Sequence, residues 1–211
     1  MNIFALSSGI GPSGIAIIRL SGPDAIILAK SFSQNVDIKI KQINYCKLHN
    51  PKTNKLIDEG IVLCFAKPDS YTGDNLVEFH VHGSNAVINY FLKILSNLKN
   101  CRLAEPGEFT KIAFQNNKID LLEAESIGDL VHAETELQRE QAVKFIQGNA
   151  SKYYDNLREK LIKSLSYIEA KIDFAEDDLP EKVLKEVYKS IKDIHQDIKK
   201  ILEDNKVGEK I

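Results

Sequence analysis

The sequence predicts an α+β domain over residues 1–118, followed by an all-α segment of a helical bundle over residues 119–211. Two observations place the division near Lys118. The first part holds eight of the eleven glycines and five of the six prolines, which punctuate short elements. The formal charge also changes, from +4 in the first part (13 basic and 9 acidic residues) to −6 in the second (15 basic and 21 acidic). We therefore expect short alternating elements first and long helices afterwards.

Three segments of the first part predict strands because they are rich in β-branched or alternating apolar residues: residues 15–20, 56–66 and 76–82. The polar stretch HNPKTNK separates two apolar runs and predicts the turn of a hairpin. Residues 24–32 and 84–98 predict helices, since apolar residues recur there every three or four positions. Strands and helices mixed in this way indicate an α+β domain, whose strand order the sequence leaves open.

The second part predicts three long helices. Residues 121–147 contain no proline and predict one helical segment, in which Gly128 marks either a close helix contact or a weak point. A second helix carries an apolar face from Tyr154 to Ile172, and a third begins after Pro180. The third has a heptad seam: Leu184, Val187, Ile191, Ile194, Ile198 and Ile201. Fewer than four heptads favour packing inside a bundle over a free coiled coil.

Composition indicates a soluble globular protein, with 43% hydrophobic and 27% charged residues and a formal net charge of −2. No apolar run is long enough to cross a membrane, and the first residues, MNIFALSSGIG, lack the pattern of a signal peptide. We expect a cytoplasmic protein without membrane contact. The three cysteines, Cys46, Cys64 and Cys101, are far apart and are expected to be buried thiols.

The stretch YTGDNLVEFHVHGS, residues 71–84, places one carboxylate and two imidazoles on alternate residues of a strand. Glu78, His80 and His82 then share one face. A metal site needs further ligands, which the flanking sequence does not supply, so no metal site is predicted. The histidines are interpreted as structural or pocket-wall residues. Glu78 is the better functional candidate because a buried carboxylate must be paired or hydrogen-bonded.

Other motifs carry less weight. GIGPSG, residues 9–14, matches a dinucleotide fingerprint, but a strand follows it instead of a helix, so a flexible loop is expected. No Walker A motif occurs, and residues 148–152, GNASK, only superficially resemble one. The carboxylate run at residues 173–178 predicts a solvated acidic loop. Thr110 is a candidate helix cap, and Lys118 a cation that can meet a carboxylate or phosphate.

Taken together, four blocks resemble the N-terminal part of the MnmE (TrmE) family of tRNA modification GTPases. They are GPSGIAIIRLSG, DEGIVLCFAKPDSYTGDNLVEFHVHGS, AEPGEFTKIAFQNNKIDLLEAESIGDLVHAET and YIEAKIDFAEDD. The resemblance covers essentially the whole chain. It implies a domain similar to tetrahydrofolate-binding domains, and then a helical domain that a Ras-like G domain interrupts.

The resemblance also implies a function. The family forms homodimers through the N-terminal domain and binds a 5-formyltetrahydrofolate-type ligand there. With the FAD-dependent partner MnmG it modifies C5 of the wobble uridine, position 34, of certain tRNAs with a folate one-carbon unit. GTP hydrolysis, which needs Mg²⁺ and is stimulated by K⁺, drives rearrangements of the complex. The family's folate contacts carry over to Arg19, Glu78 and Lys118, and no catalytic residue is implied in this part.

The sequence departs from the family pattern at Glu105 and Ile112, where many relatives carry arginine, so two positive charges are absent. It also stops at Ile211, about where the family's P-loop begins, so we expect no GTP hydrolysis by this chain alone. The fragment would then be a piece of the full-length protein or a truncated gene product. Two alternatives stay open: a folate-dependent aminomethyl transferase, and a non-catalytic helical assembly module. The net charge offers no basic stripe for direct tRNA binding.

Overall fold

The computed structural model describes residues 1–34, 36–173 and 181–203. The chain divides into two compact units, Met1–Asp120 and Leu121–Ile211. In its described residues the first unit contains strands β1 (Asn2–Leu6), β2 (Ser13–Ser21), β3 (Asn44–His49), β4 (Leu56–Phe65), β5 (Leu76–Gly83) and β6 (Cys101–Leu103), with helices α1 (Ala25–Phe32), α2 (Asn85–Ser96) and α3 (Glu108–Gln115). The predicted fold class, α+β followed by helices, is confirmed.

The strands form one mixed sheet in the order β3-β4-β5-β2-β1-β6. β1 and β6 run parallel, whereas the other neighbours are antiparallel. The three predicted strands correspond to β2, β4 and β5, and the predicted hairpin joins β3 to β4. β1 and β6 were not predicted from the sequence. This order places β2 and β5 side by side at the centre of the sheet.

Helices α1 and α2 pack on one face of the sheet and bury an aromatic cluster. The ring of Phe32 stacks on Phe91 with centroids 4.8 Å apart, and Phe79 from β5 tilts against both. Val77 and Val81 are buried on the same side of β5. Alternation along the strand therefore directs the residues between them to the opposite face, which we call the open face.

The cysteines differ in burial. Cys46 and Cys64 are buried in the core of the first unit, and burial raises the pKa of the Cys64 thiol to about 11. Cys101 at the start of β6 is only half-buried, beside the side-chain amide of Asn2. The expectation of buried thiols is confirmed for the first two cysteines and is wrong for Cys101, because β6 is an edge strand.

Helix α3 begins at a tight turn rather than at a side-chain cap. Gly107 precedes the helix with φ +73°, a left-handed conformation that favours glycine. The Glu108 carboxylate accepts the backbone N–H of Glu105 at 2.8 Å and is paired with Arg102. The capping prediction for Thr110 is wrong, since it lies inside the first turn and its hydroxyl meets the phenol oxygen of Tyr71.

The described residues of the second unit form helices α4 (Leu121–His132), α5 (Glu136–Ile146), α6 (Asn149–Asp173) and α7 (Glu181–Leu202). The single helix predicted over residues 121–147 is wrong, because Thr135 starts a new helix. Its hydroxyl accepts the backbone N–H of Gln138, whose side chain accepts the N–H of Thr135 in return, a complete capping box. No helix in the described part of the chain, including the 25-residue α6, is apolar enough to cross a membrane.

The heptad seam of α7 is only partly covered. Helix α7 packs on α6 and buries Val187 and Ile194. Leu184, Ile191 and Ile198 remain 41–43% exposed, and the side chain of Ile201 lies outside the described set. Beyond Asp173, the predicted acidic loop also lies outside the described residues.

Candidate ligand-binding site

An ion pair lies at the centre of the open face. Arg19 on β2 and Glu78 on β5 are directly opposite partners in the antiparallel ladder. The Nε and Nη2 groups of Arg19 donate to the same carboxylate oxygen, Oε1 of Glu78, at 3.1 and 2.7 Å. Both side chains are largely covered, at 27% and 17% exposure. The pairing satisfies the requirement that a half-buried carboxylate have a charged partner.

Two aromatic rings hold the guanidinium of Arg19. The Cζ atom lies 5.6 Å from the ring centroids of both Tyr71 and Phe109, one from the loop before β5 and one from α3. A cation over an aromatic face is attracted by the negative charge of the ring's π surface. The guanidinium is thus held in place by rings as well as by the carboxylate, which favours a defined geometry over a mobile side chain.

The loop at residues 66–75 joins these groups to α3. The Tyr71 and Thr110 hydroxyl oxygens are 2.8 Å apart, and the side-chain amide of Asn116 donates to the carbonyl of Thr72 at 2.7 Å. Gly73 has φ +78°, and a Cβ atom there would lie 3.0 Å from Cβ of Asn116. Because the loop is bound at several points, the rings that flank Arg19 have fixed positions.

Lys118 contacts the same loop at a different point. Its exposed ammonium donates to the carbonyl of Pro68 at 3.0 Å, beside Asp69, whose pKa is lowered mainly by its hydrogen bond from Lys41. The structure therefore brings Arg19 and Glu78 into direct contact and links Lys118 to them through the loop.

The two histidines of β5 have different environments. His80 is half-buried, and its Nε2 atom lies 3.5 Å from Oε2 of Glu78. His82 is 71% exposed, and its Nδ1 atom lies 2.9 Å from a carboxylate oxygen of Asp58. Burial raises the pKa of Asp58, but the hydrogen bonds from the backbone N–H and ring of His82 outweigh it, so the pKa lies below its usual value. His80 adjoins the ion pair, whereas His82 is hydrogen-bonded to Asp58 on β4.

An open groove of about 350 Å³ lies beside His80 on the open face, within the size range of small-molecule pockets. Its lining residues are Gly14, Ile15, Tyr45, Glu59, Gly60, Ile61, His80, Val81 and His82. Among the described residues, no group of three or more histidine, cysteine or acidic side chains could hold a metal ion. The groove and the neighbouring ion pair therefore suit an organic ligand with both apolar and polar parts.

Sequence reasoning missed the two rings around Arg19. Tyr71 stands in the stretch YTGDNLVEFHVHGS, and Phe109 in PGEFT, but their approach to Arg19 depends on the loop conformation and on the position of α3. One local feature could have drawn attention to Phe109: it stands in the first helical turn after the Pro106–Gly107 pair.

Comparison with known proteins gives the family. The family model described as "GTP-binding protein TrmE N-terminus" matches residues 2–118, and the model "MnmE helical domain" matches residues 121–211. The chain belongs to the MnmE (TrmE) family. It is similar to the tRNA modification GTPase MnmE of Pelagibacter ubique (strain HTCC1062), with 53% identity over 211 residues, 100% of this chain and 48% of the relative. The MnmE proteins of Rickettsia typhi and Rickettsia prowazekii are each 42% identical over 207 residues, 98% of this chain and 46% of theirs.

The chain thus spans about half the length of these MnmE relatives and corresponds to their N-terminal part. Both family models fall within the units that the structure separates at Asp120. The ion pair, its aromatic neighbours and Lys118 all belong to the part matched by the TrmE N-terminal model.

Proposed function

We propose that this chain supplies the folate-binding and homodimerising part of a GTP-dependent tRNA-modifying enzyme. The ligand is 5-formyltetrahydrofolate or a related tetrahydrofolate, bound by Arg19, Glu78 and Lys118. The observation that carries the proposal is the Arg19–Glu78 pair on the open face, whose guanidinium lies beside two rings. Family membership supports it.

The chemistry of the site suits a reduced folate. The pterin ring presents two adjacent N–H donors, and a carboxylate can accept such a paired edge. Arg19 occupies only Oε1 of Glu78, so the carboxylate retains acceptor sites for this edge. The glutamate tail of the folate is anionic and suits Arg19 or the exposed ammonium of Lys118. Glu105 and Ile112 supply no cation, so Arg19 and Lys118 provide the positive charge of the proposed site.

The full-length protein, in this proposal, acts with an FAD-containing MnmG partner in the cytoplasm. Together they modify C5 of uridine 34 in certain tRNAs with the folate one-carbon unit. GTP hydrolysis with Mg²⁺ and K⁺ belongs to the G domain of the full-length family. tRNA is reached through the complex.

Homodimerisation through the first unit has a physical basis in its exposed apolar side chains. Ile43 and Tyr45 are 73% and 70% exposed on or beside edge strand β3, and Ile15 on β2 is 63% exposed. Large apolar side chains clustered on a sheet face indicate an interaction surface. Light scattering after size exclusion tests the dimer, and Tyr45→Glu is expected to shift the mass toward that of the monomer.

Calorimetric titration with 5-formyltetrahydrofolate tests the binding site. We expect binding by the wild-type chain and loss of binding in Glu78→Ala. Asp37→Ala removes an exposed carboxylate from the same unit and is expected to bind normally. The absence of binding by the wild-type chain, at concentrations where it is folded and dimeric, would overturn the proposal.

A further inference from the structure

The ring of His80 lies close to the carboxylate of Glu78. The two residues are separated by one position on β5 and so share the open face. The cross-strand partners of His80 are Ile17 on β2 and Ile61 on β4, and both are aliphatic. Nε2 of His80 is buried and has no hydrogen-bond partner among the described residues, while Oε2 of Glu78 lies 3.5 Å away. That distance is just beyond hydrogen-bond range, so a shift of a few tenths of an ångström joins the two groups.

The two oxygens of the Glu78 carboxylate have different neighbours. Both bonds from Arg19 reach Oε1, which leaves Oε2 facing His80. The terminal torsion of a glutamate side chain is broad, so bonds to one oxygen leave the plane of the carboxylate weakly determined. A second donor at Oε2 fixes that plane.

We propose that His80 is a positioning residue, which holds Oε2 of Glu78 through its Nε2–H and so orients the carboxylate toward a ligand edge with two adjacent N–H donors. The inference rests on the proposed folate function and deepens it. Paired recognition requires both carboxylate oxygens to lie in the plane of the ligand's donors. Arg19 sets the position of the carboxylate, and His80 sets its rotation.

Three variants separate this role from simple packing. His80→Gln retains an N–H donor, whereas His80→Phe retains a planar ring of similar size without a donor. We expect 5-formyltetrahydrofolate to bind His80→Phe roughly five- to tenfold more weakly than wild type, as the loss of one hydrogen bond predicts, and His80→Gln to recover most of the affinity. His195→Phe makes the same chemical change at an exposed position of α7, outside the groove, and is the control that is expected to bind as wild type does. Equal weakening in Gln and Phe variants of matched thermal stability would overturn the role.

The donor edge is tested from the ligand side as well. A folate analogue with a methyl group in place of the 2-amino group lacks one of the paired donors. We expect His80→Phe and wild type to bind this analogue with affinities within about twofold, because the paired geometry is already lost. The same five- to tenfold loss with the analogue would show that His80 acts elsewhere.

A ligand-free measurement keeps this inference separate from the proposed function. Long-range ¹H–¹⁵N NMR spectra show which ring nitrogen of His80 carries the hydrogen. We expect the Nε2–H tautomer in the wild-type protein and a changed Nε2 resonance in Glu78→Ala. An Nε2 atom that carries no hydrogen in the neutral ring would contradict the positioning role even if folate binds. Absence of folate binding together with the expected NMR result would overturn the proposed function alone and leave the His80–Glu78 contact standing.

Discussion

Arg19 and Glu78 face each other across the central pair of antiparallel strands, and both N–H groups that join them reach a single carboxylate oxygen. Each side chain is less than one-third exposed, so the pair is desolvated enough that removing one partner should lower the free energy of unfolding. It also leaves the second oxygen of Glu78 available. The same contact therefore stabilises the sheet and prepares a ligand site.

Removing the cation from this pair should destabilise the first unit. In Arg19→Ala the half-buried carboxylate of Glu78 loses its charged partner, and we expect a loss of about 1–3 kcal/mol in the free energy of unfolding, measured with urea. Lys41→Ala is the control, because its ion pair with Asp69 is more than half exposed on both sides and is expected to contribute little to stability. Similar losses in the two variants would show that Arg19–Glu78 behaves as a surface pair.

The ring and the hydroxyl of Tyr71 should contribute separately. Tyr71→Phe removes the contact with the Thr110 hydroxyl and retains the ring beside Arg19, so we expect about 0.5–1.5 kcal/mol less stability and unchanged folate affinity. Tyr71→Leu also removes the ring, and we expect weaker folate binding as the guanidinium loses one aromatic neighbour. Urea unfolding and calorimetry on both variants measure the two effects. An unchanged affinity in Tyr71→Leu would exclude a role for the ring in orienting Arg19.

The parts of this site that are local in sequence could be predicted, and the parts that depend on register could not. Alternation along residues 76–82 placed Glu78 on the face opposite Phe79, because a strand directs successive side chains to opposite sides. The pairing with Arg19 joins positions 59 apart in the sequence and depends on the strand order, which no local pattern contains. Strands β1 and β6 were missed because five and three residues are too short to show a periodic pattern.

The break between α4 and α5 was predictable from a signal that the absence of proline obscured. Thr135 and Gln138 have the spacing of a capping box, which marks a new helix start. The continuous lack of proline over residues 121–147 outweighed it in the sequence interpretation. Helix α3 shows the opposite error: Thr110 has a capping side chain, but the turn at Gly107 starts the helix three residues earlier.

Acid should weaken the first unit through Glu108. Its hydrogen bonds from Arg102 hold the pKa at about 2, below the ordinary value of 4.5. A carboxyl group whose pKa is lowered by folding stabilises the native state above the unfolded pKa, and this contribution is lost as the pH falls from about 4.5 toward 2. We expect Glu108→Gln to be less stable than wild type at pH 7 and to lose less stability on acidification, measured by urea unfolding at each pH.

The matched control is Glu136→Gln, which removes the carboxylate of a largely exposed ion pair with Arg139 in α5. Water screens that pair, so we expect little change in stability or in its pH dependence. A parallel loss of stability in Glu108→Gln and wild type between pH 7 and pH 2.5 would show that the Arg102 contact does not stabilise the folded state.

Two glycine-to-alanine substitutions should change stability in opposite directions. A Cβ atom at Gly60 would lie 2.1 Å from the backbone carbonyl oxygen of His80, so β4 and β5 would have to separate beside the ion pair. We expect Gly60→Ala to lower the free energy of unfolding by more than about 3 kcal/mol, the range of severe steric conflicts in a core. Among the described residues, none outside the helix's own backbone lies within 4 Å of a Cβ atom at Gly128, so in this part of the chain the glycine is a weak point of α4 rather than a close helix contact. Gly128→Ala should therefore stabilise the helix by about 0.5–1 kcal/mol, because alanine loses less conformational entropy there, and a destabilised Gly128→Ala protein would contradict the open environment at that position.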